Sequence, residues 1–258
     1  MKQDWKWSLV NITEHLYDGI PLTIYNNDDQ KKKPLIYFFH GFTGNKDANI
    51  MGRGEVLANM GFYVVAIDAY LHGKRMSDLE KIRSNVDKYE DIIEIVMHTA
   101  KDAKRLYHKY FKYEPNVLDD HYYLYGVSMG SLTAFYLSTI DPYVKAMAGL
   151  VCTPSFVDYY KDKASMYGFN QGFFYERKLD YYKAHDPLNH IDQLKKVKIF
   201  MGVGTKDQVV KPIYAETLKE MVPEVILNHY DTGHVSTTDM LNDSYQFLEG
   251  VKNSGNHR

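Results

Sequence analysis

Apolar side chains change their spacing after about residue 33. The opening WKWSLVNIT alternates apolar and polar positions, and IPLTIY (20–25) alternates again after Asp18 and Gly19. Alternation of that kind predicts half-buried strands, and the short polar turn between them predicts an antiparallel hairpin. Beyond the polar NNDDQKKKP the runs become continuous: PLIYFFHG (34–41), GFYVVAIDA (61–69), HYYLYGVS (121–128), VKAMAGLVCT (144–153), VKIFMGVGT (197–205) and VILNHYDTGH (225–234). Strands covered on both faces read this way. Helical spacing separates them. It is clearest over 86–113, where Tyr89, Ile92, Ile93, Val96, Ala100, Ala103 and Tyr107 recur every three or four residues, with shorter stretches at about 48–60, 130–140, 213–222 and 238–250. The alternation predicts an α/β fold, a mainly parallel sheet with helices on both faces. In such a sheet the ligand site lies beyond the carboxyl ends of the strands. No repeat or low-complexity linker divides the sequence, so residues 1–258 are expected to form one domain.

Several residues able to do chemistry directly follow predicted strands. Gly126-Val127-Ser128-Met129-Gly130 stands between a run of β-formers and SLTAFYLSTI. Small flanking residues permit a sharp strand-to-helix turn that exposes the serine. A serine hydroxyl is a weak nucleophile until a base takes its proton and a third group orients that base. His234, in YDTGHVS after the last strand, fits the base better than His98 and His108 within the long helix, His229 within a strand or His257 near the terminus. Asp207, after the Gly-Thr turn that ends VKIFMGVGT, fits the orienting acid; its competing role is a helix N-cap. The chain order Ser, Asp, His is that of α/β-hydrolases. His40-Gly41-Phe42-Thr43-Gly44 follows another strand, and its turn can aim the Phe42 N–H beside the Met129 N–H at a helix start, a pair suited to an oxyanion.

Composition narrows the classes. The 31 Lys and Arg nearly balance the 33 Asp and Glu, for a formal net charge of −2. That balance lacks the one-signed surface that nucleic acid or an anionic membrane selects. Lysines 31–33 read as a solvated loop. No apolar run approaches the ~18 residues of a membrane span, and the first ten residues lack a secretory apolar core, so a cytoplasmic protein is expected. The one cysteine, Cys152, excludes an intrachain disulfide and reads as a small buried hydrophobe. His40 and His72 lack carboxylate or histidine companions at ligand spacing, so both are expected to make structural hydrogen bonds, with no metal or cofactor; Asp68 is expected to organise its loop.

On these motifs the chain resembles the α/β-hydrolase superfamily over nearly its whole length. More narrowly it resembles small bacterial carboxylesterases related to prolyl oligopeptidase catalytic domains and dienelactone hydrolases, through FHGFTGNKD, AIDAYLHGKR, GVSMGS, GTKDQVV and TGH. The resemblance implies Ser128, Asp207 and His234 as a catalytic triad, with Phe42 and Met129 as oxyanion donors. Ser131 stands where many relatives have Gly or Ala. Dienelactone hydrolases themselves use cysteine where this chain has Ser128, and the chain has no room for a propeller domain that gates peptides. Between Thr153 and residue 197 lies an aromatic-rich insertion, expected as a helical cap over about 154–190, with Phe156, Tyr160, Phe173 and Phe174 as substrate-binding rings. Packing of the cap onto the core, or a homodimer contact, is the competing use of those rings. The expected activity is hydrolysis of short-to-medium acyl or aryl esters, with a small-molecule ester as partner. A thioesterase, an acylglycerol lipase, a peptidase-like amide hydrolase and a non-catalytic ligand-binding module remain open alternatives.

Overall fold

The computed structural model describes residues 9–27, 29–47 and 52–255. Eight strands form one sheet in the order β1-β2-β4-β3-β5-β6-β7-β8. They are β1 (Val10–Tyr17), β2 (Ile20–Asn27), β3 (Lys33–Phe39), β4 (Tyr63–Ile67), β5 (Val117–Val127), β6 (Val144–Leu150), β7 (Lys198–Gly204) and β8 (Ile226–Tyr230). β1 and β2 pair antiparallel as the expected hairpin, and β2 joins β4 antiparallel; from β4 to β8 every pairing is parallel. The strand expected over 5–13 begins at Val10; residues 5–8 of that span lie outside the described residues. As the edge strand, β1 stays largely exposed. The KKK expectation fails at its last residue. Lys33 is buried at the start of β3, where its Nζ donates to Asn27 O at 2.5 Å and Asn26 Oδ1 at 2.7 Å.

Ten helices are described: α1 (Arg53–Asn59), α2 (Asp78–Ile82), α3 (Asn85–Glu90), α4 (Ile92–Lys109), α5 (Met129–Ile140), α6 (Phe156–Tyr167), α7 (Phe173–His185), α8 (Ile191–Leu194), α9 (Ile213–Met221) and α10 (Thr238–Gly255). Two apolar clusters flank the sheet. The larger joins β3 and β5 to α4, α5 and α6 through Tyr37, Tyr122, Val96, Phe135 and Phe156; the smaller joins the other sheet face to α1 and α10 through Phe38, Tyr125, Leu57 and Leu248. Alternate residues of one strand thus enter opposite clusters, as the pleat requires.

One element departs from its expected form in a way that matters for the site. The single helix expected over 86–113 is two, because Asp91 leaves helical geometry at φ −107°, ψ 7°. Its carboxylate accepts from Arg83 Nη2 at 2.6 Å and Lys178 Nζ at 3.0 Å, which fixes the break. Ser84 caps α3 reciprocally with Asp87. The break frees α3 from the axis of α4 and presents Tyr89 to Phe42, the two rings stacking at 4.3 Å.

Candidate active site

The turn between β5 and α5 is built by close approach. A Cβ on Gly126 would lie 2.3 Å from Gly130 O, and one on Gly130 would lie 2.2 Å from Phe39 O, so neither position accepts a larger residue without moving backbone. Ser128, between them, is held at φ 54° and ψ −118°, a strained conformation for a side-chain-bearing residue. Its N–H donates to Leu150 O at 2.9 Å, and Ser131 Oγ donates to its carbonyl at 2.6 Å. Ser131 therefore braces the turn.

Three side chains from three strand ends form one hydrogen-bonded line. Ser128 Oγ lies 2.8 Å from His234 Nε2, and His234 Nδ1 lies 2.7 Å from Asp207 Oδ2. A carboxylate only accepts, so Nδ1 carries the proton and Nε2 offers its lone pair to the serine O–H. The other Asp207 oxygen accepts from the backbone N–H of Val209 at 2.8 Å and Val210 at 2.9 Å. The buried acid is thus held by three donors, and the N-cap of α9 is Pro212 rather than Asp207. The imidazole is part-exposed, as a group that must meet solvent requires.

The loop after β3 lies against the serine turn. A Cβ on Gly41 would sit 3.7 Å from Ser128 Cβ, and Gly44 N donates to Gly41 O at 3.0 Å to close the turn that carries Phe42. Met129 begins α5, and a helix leaves its first N–H groups without internal acceptors. His40 anchors the loop from below. Its Nδ1–H donates to Gly41 O at 2.8 Å while Nε2 accepts from Ala69 N at 3.0 Å. Burial drives its pKa down from 6.5 to about 4, so the ring stays neutral. Asp68 accepts from the N–H groups of Lys46 and Lys74, each at 2.8 Å, and so ties this loop to the one after β4. His72 Nδ1 donates to Tyr70 O at 3.0 Å. The described residues contain no cluster of three or more His, Cys, Asp or Glu placed to hold a metal.

A cavity of about 440 Å³ opens above Ser128, lined by Phe42, Tyr89, Val151, Tyr159, Val209 and His234 among others. Val151 is itself strained, at φ 44°. The four rings expected to bind substrate do not line it. The insertion does fold as helices, α6 and α7, but Phe156 at the start of α6 is fully buried, 5.6 Å from the Tyr136 ring. Tyr160 fills the gap between α6 and α7 against Phe169, Tyr175 and Tyr182. Phe173 and Phe174 are 70% and 80% exposed at the start of α7. The insertion instead reaches the cavity through Tyr159, one residue and about 100° of helix away from Tyr160. Aromatic content located the segment; only helix register and the α3/α4 break select Tyr159 and Tyr89. Cys152 is buried as expected, and burial pushes its thiol far above the usual range.

Sheet order, crossovers and the strained serine turn after β5 are those of an α/β-hydrolase. Within that class the chain belongs to the Dienelactone hydrolase family, which it matches over residues 22–235. It is 26% identical over 157 residues to "Putative esterase YitV" of Bacillus subtilis (strain 168), a match covering 60% of this chain and 59% of that protein. TT1662 of Thermus thermophilus superposes with a TM-score of 0.72 at 19% identity, covering 94% of this chain and 98% of that one. Acetyl xylan esterase 1 of Thermoanaerobacterium sp. JW/SL YS485 gives 0.66 at 18% identity, covering 97% and 86%. Among the described residues no helix is long and apolar enough to cross a membrane.

Proposed function

We propose that the chain is a serine carboxylesterase that cleaves short-to-medium acyl esters through an acyl-enzyme on Ser128. The observation that carries this reading is the unbroken line from Ser128 Oγ through both nitrogens of His234 to Asp207, opening on the cavity. Esterase names among the relatives support the reaction class.

In this reading His234 Nε2 takes the hydroxyl proton as Ser128 Oγ attacks the ester carbonyl. The carbonyl oxygen becomes an anion held by the N–H groups of Phe42 and Met129. Asp207 stabilises the imidazolium, which returns its proton to the departing alkoxide. Water enters, loses a proton to His234 and releases the acid, restoring the serine. Ser128→Ala, assayed on p-nitrophenyl butyrate, is expected to lose kcat by at least about 10³-fold. Turnover at the normal rate would refute the assignment.

A further inference from the structure

Most polar side chains facing the cavity are open to water. Thr43 and Asn85 are exposed and Ser236 is partly so, and solvent satisfies groups of that kind. Tyr159 differs. It is only 2% exposed, yet it lines the cavity that holds Ser128 and His234. Among the described residues no side chain or backbone group is hydrogen-bonded to its hydroxyl, and that oxygen is not one of the sealed polar atoms left without a partner. The hydroxyl therefore keeps some accessible surface, on a residue that lines this cavity. Buried polar groups are almost always matched, and one left open inside a site is matched by what enters it.

The ring cannot turn that hydroxyl aside. Lys163 Nζ, on the next turn of α6, stands 4.9 Å from the Tyr159 ring centre and donates to Val209 O at 2.8 Å. Lys163 is itself fully buried, so the ammonium presses the ring from one face while binding the loop that carries Asp207. The stacked Phe42 and Tyr89 rings line the same cavity, and Lys163 Nζ lies 5.5 Å from the Tyr89 ring centre as well. Aromatic rings and one buried hydroxyl in the lining make a pocket suited to a chain that carries an oxygen, and less suited to a plain alkyl chain of the same shape.

We infer that Tyr159 is a substrate-binding residue whose hydroxyl bonds an oxygen of the substrate, so that the preferred esters carry an ether, carbonyl or hydroxyl oxygen in the part that enters the cavity. This rests on the ester-hydrolase reading and names the substrate class within it. Matched esters test it. The p-nitrophenyl esters of butyric and methoxyacetic acid have equal length and differ by one oxygen; butyl acetate and 2-methoxyethyl acetate vary the alcohol in the same way. For each pair the ratio of kcat/KM, oxygen-bearing over alkyl, is measured in wild type and Tyr159→Phe. The folded fraction cancels within each ratio, and intrinsic ester reactivity cancels when the wild-type and variant ratios are compared. Loss of the hydroxyl is expected to lower the ratio about 3- to 10-fold in one of the two pairs, which also tells whether acyl group or alcohol occupies the pocket. Ratios that stay level in both pairs, with both proteins turning over, would overturn the inference and leave the esterase reading standing. A wild type that cleaves none of the four esters would sink both.

Discussion

Asp207 and His40 are both buried and both fully bonded, but they support the site in different ways. Asp207 uses one oxygen to orient His234 and the other to collect the N–H groups at the start of its own loop. A substitution there would disturb orientation and loop together. His40 touches no reacting group; it spans from Gly41 O to Ala69 N and fixes where the Phe42 turn sits. Its neutrality leaves a measurable trace. As pH falls below 6.5 an unfolded chain protonates this imidazole, whereas the folded one resists until about pH 4. The unfolded state therefore binds more protons across that window, and stability falls as pH drops through it while remaining untouched above it. We expect the Tm of wild type to decline more steeply between pH 6.5 and 4 than that of His40→Gln, whose amide takes on no proton. Parallel declines would show that His40 titrates normally.

At the scale of elements, the β5–α5 turn concentrates the constraints. Gly126 and Gly130 each occupy a position where a methyl group would meet backbone at 2.3 Å or less, and the residue between them is strained. Gly126→Ala is expected to destabilise by about 3 kcal/mol or more, the range of steric and backbone-strain mutations. In a chain of this size that is a Tm lower by roughly 6–12 °C. A Tm unchanged by the substitution would contradict the tight turn. The same motif was the most legible part of the sequence, because the glycines are demanded by local geometry alone. The α3/α4 break was not legible. Tyr89 and Ile92 keep helical spacing across it, and what interrupts the helix is Asp91 held by Arg83 and Lys178, the latter from a helix 87 residues onward. Long-range ion pairing leaves no periodic mark on the local sequence.

Across the whole molecule, six of the strands and the carboxyl-end position of the site followed from continuous apolar runs separated by helical spacing. The reason is that a parallel sheet buries both faces of each central strand, so burial writes itself into consecutive residues. The insertion between β6 and β7 obeys no such rule. Its rings serve three ends at once: Phe156 and Tyr160 pack inward, Tyr159 meets the cavity, and Phe173 and Phe174 face out. Tyr182, hydrogen-bonded to Glu94, and Lys178, bonded to Asp91, clasp α7 to α4 and so hold the helical pair over the sheet. Composition marks such a segment as aromatic, and only tertiary register divides the labour among neighbours.

In the proposed ester-hydrolase reading Ser128 Oγ is the nucleophile, and covalent trapping reads it most directly. Treatment with a fluorophosphonate, followed by peptide mapping in a mass spectrometer, is expected to place one adduct on the peptide containing Ser128 and none on that peptide from Ser128→Ala. An adduct found elsewhere, or an unmodified protein that still hydrolyses esters at its full rate, would contradict it.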